Sequence, residues 1–159
     1  MNVKSWLEQI YYNAGKQKYD FFVCGLKKNG EDIKATKWKK FSEVVFPIDN
    51  SESYKLDWIN QRQILPNEIV LDLEHVDKLP AVVIALNELK LNYNIFATHS
   101  HGFHIHLFFE EELTEMEKEA VIEYFGADIQ KSSLKTMIAL EFVPHWKSGK
   151  IKELIENGV

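Results

Sequence analysis

A chain of 159 residues, 45% hydrophobic and 13% aromatic, is long enough to bury one real core, and this composition excludes a disordered or fibrous protein. A net charge of −5 excludes a protein that coats nucleic acid by bulk attraction alone. The single cysteine, Cys24 in "FFVCGL", excludes an internal disulfide and any Cys-based zinc site, and it reads as a small buried residue.

No apolar run reaches the length of a membrane span, and "MNVKSWLEQIYYNAG" has neither the apolar core nor the cleavage site of a signal peptide. The expectation is a soluble, cytoplasmic single domain. Trp6, Leu7, Ile10 and Tyr11 recur at helical spacing, which predicts a helix over 3–14 that stops at Gly15. "YDFFVCGL" follows as a strand, with Phe21 in the core. Residues 27–40, "KKNGEDIKATKWKK", hold six lysines against two acids, with Trp38 among them. Such a run is either a solvated loop or a local phosphate-contacting patch with one stacking aromatic. "SESYKLDWINQRQI" predicts a helix ended by "LPN", with Trp58 in the core.

From residue 68 the pattern sharpens. "EIVLDLE" is a strand. "KLPAVVIALNELKLN" is a helix with Val82, Val83, Leu86 and Leu89 on one side. "YNIFAT" and "FHIHLFF" are strands joined by the turn "HSHG". "TEMEKEAVIEYF" is a helix opened by a Thr114–Glu117 capping box, and "KTMIALEFV" is the last strand. The order β-α-β-β-α-β over about 68–143 is ferredoxin-like, or RRM-like, and the fold class is α+β. An α/β extension (1–67) precedes a core (68–150). This arrangement sets the first and third strands side by side in the middle of the sheet.

Alternation then sorts the faces. Leu71 and Leu73 share one face of the first strand, and Asp72 and Glu74 the other. Phe103, Ile105 and Leu107 share one face of the third strand, and His104 and His106 the other. With helices over the apolar face, the open face carries two carboxylates beside two imidazoles. Two acids so close repel unless a cation or hydrogen-bond donors neutralise them; they suit either magnesium or manganese, which prefer carboxylate oxygen, or an exposed acidic pair beside lysines. His104 and His106 alone suit a transition metal or a merely polar strand. His75 reads as structural, His99 and His101 as exposed turn residues, and Tyr124, spaced with Val121 and Phe125, as core. Trp146 suits either stacking on a base or packing.

These residues resemble the archaeo-eukaryotic primase, or primase-polymerase, superfamily over roughly 68–150. "VLDLE" resembles its acidic strand motif, with Asp72 and Glu74. "THSHGFHIHLFF" resembles its second motif, with Ser100, Gly102 and His104. "GADIQK" and "PHWKSGK" resemble the third acid and the basic segment after it, with Asp128, His145 and Lys147. The resemblance implies a template-directed nucleotidyltransferase that makes or extends primers on single-stranded DNA. In it Asp72, Glu74 and Asp128 hold two divalent ions, Mg2+ or Mn2+. Ser100, Gly102, His104, His145 and Lys147 hold the NTP or dNTP, and Lys37, Trp38, Lys39 and Lys40 hold the template. A helicase or accessory primase domain is an implied partner, and no membrane is. The third acid departs from the family spacing, which falls at Ser132 or Ser133, and Glu141 is a second candidate. The family's cysteine-bound zinc knuckle is absent.

Two alternatives stand beside this. His104-Ile105-His106 also matches the His-hydrophobic-His metal motif of rolling-circle single-strand endonucleases, which share the sheet topology and attack with a tyrosine, here Tyr124. A non-catalytic RRM-like nucleic-acid module is the third reading, although acids in place of aromatics on the open face oppose it.

Overall fold

In the computed structural model, residues 2–13, 20–29, 31–44, 59–98, 102–128 and 136–158 are described. Gly15, Trp58, His99, Ser100, His101, Ser132 and Ser133 lie outside them, as does most of the helix expected from residue 51. The fold is a mixed α+β one, and every strand pairing in it is antiparallel. The chain divides into two units, Met1–Gln63 with Met137–Lys152 and Ile64–Thr136 with Glu153–Val159.

The first unit opens with helix α1 (Val3–Asn13). Asn2 and Ser5 cap it reciprocally: the Ser5 N–H donates to Asn2 Oδ1 at 2.9 Å and the Asn2 N–H to Ser5 Oγ at 3.1 Å. Trp6, Leu7 and Ile10, three of the four residues of the predicted stripe, are buried, and the Tyr11 side chain lies outside those described. Strands β1 (Phe22–Cys24), β2 (Leu26–Asn29), β3 (Asp32–Ala35), β4 (Lys39–Lys40) and β5 (Gln61–Gln63) follow. Phe21 is core as expected, its ring stacked on Phe41 at 4.9 Å. β2 and β3 form a two-stranded ribbon of their own.

Residues 61–63 are strand where helical spacing predicted helix. Tertiary partners override local propensity here. β5 is paired on both sides, and Asn60 imitates a strand residue with its amide. Its Oδ1 accepts the Leu26 N–H at 2.7 Å, and its Nδ2 donates to the Leu26 carbonyl at 2.9 Å.

The second unit holds β6 (Glu68–Leu73), α2 (Leu79–Glu88), β7 (Tyr93–Ala97), β8 (Phe103–Phe108) and α3 (Glu115–Tyr124). These agree with the sequence reading to within a few residues. The Thr114–Glu117 capping box is present, with both hydrogen bonds at 3.1 Å. α2 ends one residue before Leu89, which caps it and is 50% exposed rather than part of the buried stripe. Ile69, Leu71 and Leu73 of β6, Tyr93 and Ile95 of β7, and Ile105 and Leu107 of β8 form one core. Val82 and Leu86 of α2 and Ile122 of α3 complete it, with Phe125.

The strand expected over 135–143 is three residues long, β9 (Met137–Ala139), and pairs with β5 in the first unit. That sheet has the order β4-β1-β5-β9. Phe142 ends the extended run, because its φ of +67° is left-handed. The chain then returns to the second unit as β10 (Glu153–Gly158), which pairs with β7 and gives the order β10-β7-β8-β6. β6 and β8 are neighbours as expected, but β6 ends this order instead of standing in its middle. Among the described residues, no helix is long and apolar enough to cross a membrane.

Cys24 is buried, and burial pushes its thiol up to about 11. At pH 8 roughly one molecule in a thousand carries the reactive thiolate. An aromatic disulfide reagent should therefore leave the native protein unlabelled at pH 8 and label it fully in urea. Fast labelling without urea would mean that this core opens.

Candidate functional site

A cavity of about 350 Å3 opens at the end of β6. Asp72, Glu74 and Asp128 all line it, together with His75 and Lys78. The three acids arrive from two segments. Asp72 is the fifth residue of β6, and Glu74 follows the last residue of that strand. Asp128 comes from the far end of α3, where a Schellman motif turns the chain. Gly126 adopts a left-handed φ of +68°. Its N–H donates to the Glu123 carbonyl at 3.0 Å, and the Ala127 N–H donates to the Ile122 carbonyl at 3.1 Å. The next N–H, that of Asp128, donates to the Asp72 carbonyl at 3.3 Å. Backbone geometry thus joins two acids 56 positions apart in the sequence.

His104 stands directly across the ladder from Asp72, with Nε2 3.6 Å from Asp72 Oδ1. Gly102 has a packing role: a Cβ there would overlap the Leu73 carbonyl oxygen. The Thr98 hydroxyl and N–H both donate to the Gly102 carbonyl, at 3.0 and 3.1 Å. Thr98 and Gly102 are thereby fastened to each other beside the end of β6.

The open face expected for β6 and β8 is closed. His104 and His106 are both buried, and so are Val70 and Phe96 on the same face. Alternation shows which residues share a face, not whether that face meets water. Val70 between Glu68 and Asp72 was the signal, since an apolar residue there marks a covered face. His106 Nδ1 lies 2.7 Å from Glu68 Oε2. A carboxylate only accepts, so the imidazole donates. Phe96 packs on His106 edge-on at 5.3 Å, and Phe108 lies nearly parallel to it at 6.5 Å. Glu68 was not singled out from the sequence, although it shares the face of Asp72. Lys118 was also missed. It is fully buried at a stripe position of α3, four residues before Ile122, and donates to the Leu65 carbonyl at 2.8 Å. The Leu65 N–H donates to Glu68 Oε1 at 3.0 Å.

The remaining expected residues belong to the first unit. Glu141, the alternative third acid, is buried with both oxygens taken. Arg62 Nε and Nη2 each donate to it at 3.0 Å, and Lys152 Nζ at 3.1 Å. That arrangement is a structural ion-pair network with no oxygen turned to a cavity metal. His145 and Lys147 lie in a tight turn inside the Pro144–Ile151 bridge. His145 Nδ1 accepts the Lys147 N–H at 3.1 Å, Trp146 stacks on His145 at 5.7 Å, and Lys147 Nζ lies 5.0 Å from the Trp146 ring centroid. Lys37 and Lys40 are exposed, Lys39 is half-buried, and Trp38 is 45% exposed with its ring 5.8 Å from Phe22. Tyr124, expected in the core, is 69% exposed because it occupies the last residue of α3, off the buried stripe.

Among the described residues, no group of three or more His, Cys, Asp or Glu side chains converges closely enough to hold a metal ion as placed. The cavity acids are nonetheless a hard-oxygen set, which by chemistry fits magnesium or manganese and not a thiophilic metal. No protein-family model, curated protein or solved structure matches the chain.

Two predictions follow from this geometry. Gly102→Ala drives a methyl into the Leu73 carbonyl and should cost about 1–3 kcal/mol of stability, read as a lower urea midpoint. Burial holds the Lys118 ammonium below its ordinary range, against the pull of Glu68 and Glu112. The folded state therefore binds fewer protons than the unfolded one between that lowered value and about 10.4. The burial penalty is present in full below that lowered value, and stability rises as pH climbs through that window. The difference in urea midpoint between the native chain and Lys118→Met should shift across it, and parallel curves would refute the assignment.

Proposed function

We propose that this chain is a metal-dependent, template-directed nucleotidyltransferase of primase-polymerase type, making or extending primers on single-stranded DNA from NTPs or dNTPs. The observation that carries the reading is the cavity lined by Asp72 and Glu74 from the end of β6 and by Asp128 from beyond α3. Asp72 and Glu74 stand where the motif resemblance expects acids, and Asp128, off the family spacing, lines the same cavity. The order β6-α2-β7-β8-α3 supports an RRM-like core, because β6 and β7 are both antiparallel to β8 and flank it.

Two Mg2+ or Mn2+ ions, when bound, supply activation of the primer 3′-hydroxyl and charge neutralisation of the leaving pyrophosphate. The protein's own contribution is positioning. The β6–β8 ladder fixes Asp72, and the hydrogen bond from the Asp128 N–H holds the third acid against the same strand. Glu74, past the strand end and exposed, has room to close on a ligand. His104, across the ladder from Asp72, is assigned to the triphosphate with Ser100 and Gly102 of the same sequence motif. Lys78, exposed at the cavity wall, adds positive charge. His145 and Lys147 are assigned to the nucleotide, and Lys37, Trp38, Lys39 and Lys40 to the template strand. A helicase or an accessory primase domain is the partner class this reading calls for.

The endonuclease alternative needs His104 and His106 on one accessible ion. The burial of His106 and its hydrogen bond to Glu68 oppose that. In a gel assay with single-stranded template, Mg2+ or Mn2+, and labelled NTPs or dNTPs, with and without primer, the native chain should yield labelled oligomers. Asp72→Ala and Asp128→Asn should yield none, whereas Glu141→Gln should keep its activity at a temperature where it stays folded. Cleaved template left covalently attached to protein, and abolished by Tyr124→Phe, would instead establish the endonuclease. Absence of both products would reject this proposal.

A further inference from the structure

A surface helix ordinarily sets one apolar stripe against the core and turns a polar face outward. Helix α3 keeps the first half of that rule and breaks the second. Its inner side gives Ile122 to the core, with Phe125 just past its end. On its outer side Met116, Ala120 and Tyr124 recur at every fourth position, which sets them in one row along the helix. All three are exposed, Met116 at 80% and Tyr124 at 69%. Buried Lys118 and Ile122 follow Met116 and Ala120 by two residues, about 200° further round the helix. The row therefore stands opposite the core. The Tyr124 ring is exposed but held, because it meets the Phe125 ring edge-on at 5.0 Å.

A second row runs beside the first. Glu115, Glu119 and Glu123 each precede one member of the apolar row. Like charges four residues apart destabilise a helix. Glu123 also occupies the last turn, where the helix dipole disfavours an anion and no basic residue compensates it. This acidic row works against the helix's own stability. Residues 110–124 hold seven glutamates against one lysine, Lys118, and that lysine is buried. Glu117 is engaged in the capping box.

We propose that the outer face of α3 docks a basic amphipathic helix of a partner protein. The apolar row would meet its apolar row, and Glu115, Glu119 and Glu123 would meet its lysines or arginines. Rows at a spacing of four are the ridges by which one helix packs into the grooves of another. Ala120 leaves a notch between Met116 and Tyr124 that suits one large apolar side chain. Methionine and tyrosine are enriched at protein interfaces, and methionine adapts its shape to what it meets. Charge complementarity fixes the sign of the partner. The same glutamates repel phosphate, and they repel a second copy of α3 laid against the first. The inference does not rest on the catalytic reading.

The test uses neither nucleotide nor metal. The probe is a fluorescent helical peptide with a row of leucines at every fourth position and a row of lysines beside it. A second peptide carries glutamates in place of the lysines, and a third has the first one's composition in scrambled order. Binding is read by anisotropy at physiological ionic strength. The proteins are the native chain, Met116→Ser/Tyr124→Ser, Glu119→Lys/Glu123→Lys and, as a control for bulk charge, Glu31→Lys/Asp32→Lys. A cooperative urea transition verifies that each variant is folded. The native chain should bind the lysine peptide and not the scrambled one. The serine variant should bind it about tenfold more weakly, and so should the variant with lysines in α3. That last variant should instead prefer the glutamate peptide, and the control variant should bind like the native chain. No binding of the lysine peptide by the native chain would overturn the proposal, as would equal binding of the scrambled peptide or an equal loss in the control variant. Self-association of the native chain in sedimentation, abolished by Met116→Ser/Tyr124→Ser, would give this face to a second copy and overturn it too.

Discussion

The second unit depends on how one buried carboxylate is satisfied. Taking Glu68 out of water costs several kcal/mol unless donors meet it. Two do: the Leu65 N–H on one oxygen and the His106 imidazole on the other. The Leu65 peptide then accepts from Lys118 through its carbonyl. One peptide group therefore ties the entry of β6 to α3, while Glu68 ties β6 to β8. A slip of one residue between these strands would turn every side chain to the other face. It would carry His106 into the apolar core and leave Glu68 without an imidazole. The register that avoids this is the one that puts His104 opposite Asp72.

The candidate site inherits its order from that pair. Asp72 is four residues along the same strand from Glu68, on the same face, and Asp128 is attached to it through the backbone. Glu74 and Asp128 both stand outside regular structure, but Asp128 is held to β6 through its N–H. The cavity therefore combines two acids on a fixed frame with one that is free to adjust, an economical way to keep a polar site open in an otherwise packed unit. Gly102 contributes too, since its missing side chain is what lets its backbone lie against the end of β6.

Much of this was legible in the sequence, for reasons that differ by element. The strands and helices from Glu68 to Tyr124 carry clean periods of two and of three to four, so their positions, the capping box and the β6–β8 contact could be read directly. The last strand could not. "KTMIALEFV" has strand composition, but which sheet it joins depends on Arg62 and Lys152 closing on Glu141, a long-range ion pair that no local pattern reveals. The helix expected near residue 60 failed for a similar reason, because Asn60 and the pairing of β5 on both sides outweigh helical spacing. The covered histidine face was half legible: Val70 and Phe96 advertise it, but polar neighbours mask them. Lys118 hid behind its charge at a position that spacing assigns to the core.

The interleaving of the two units has a consequence for how the protein is born. A ribosome delivers the chain from one end, and domains ordinarily fold as each is completed. Here neither unit is a continuous length of chain. The sheet of the first unit waits for β9, more than seventy residues after β5. The sheet of the second waits for β10, nearly sixty residues after its partner β7. Both closures are long-range, which favours slow folding. During synthesis β5 and β7 each stand with an unpaired edge until late in the chain, when such edges are most exposed to the wrong strand. The nascent protein thus has every reason to need shielding, although its finished fold leaves those edges paired.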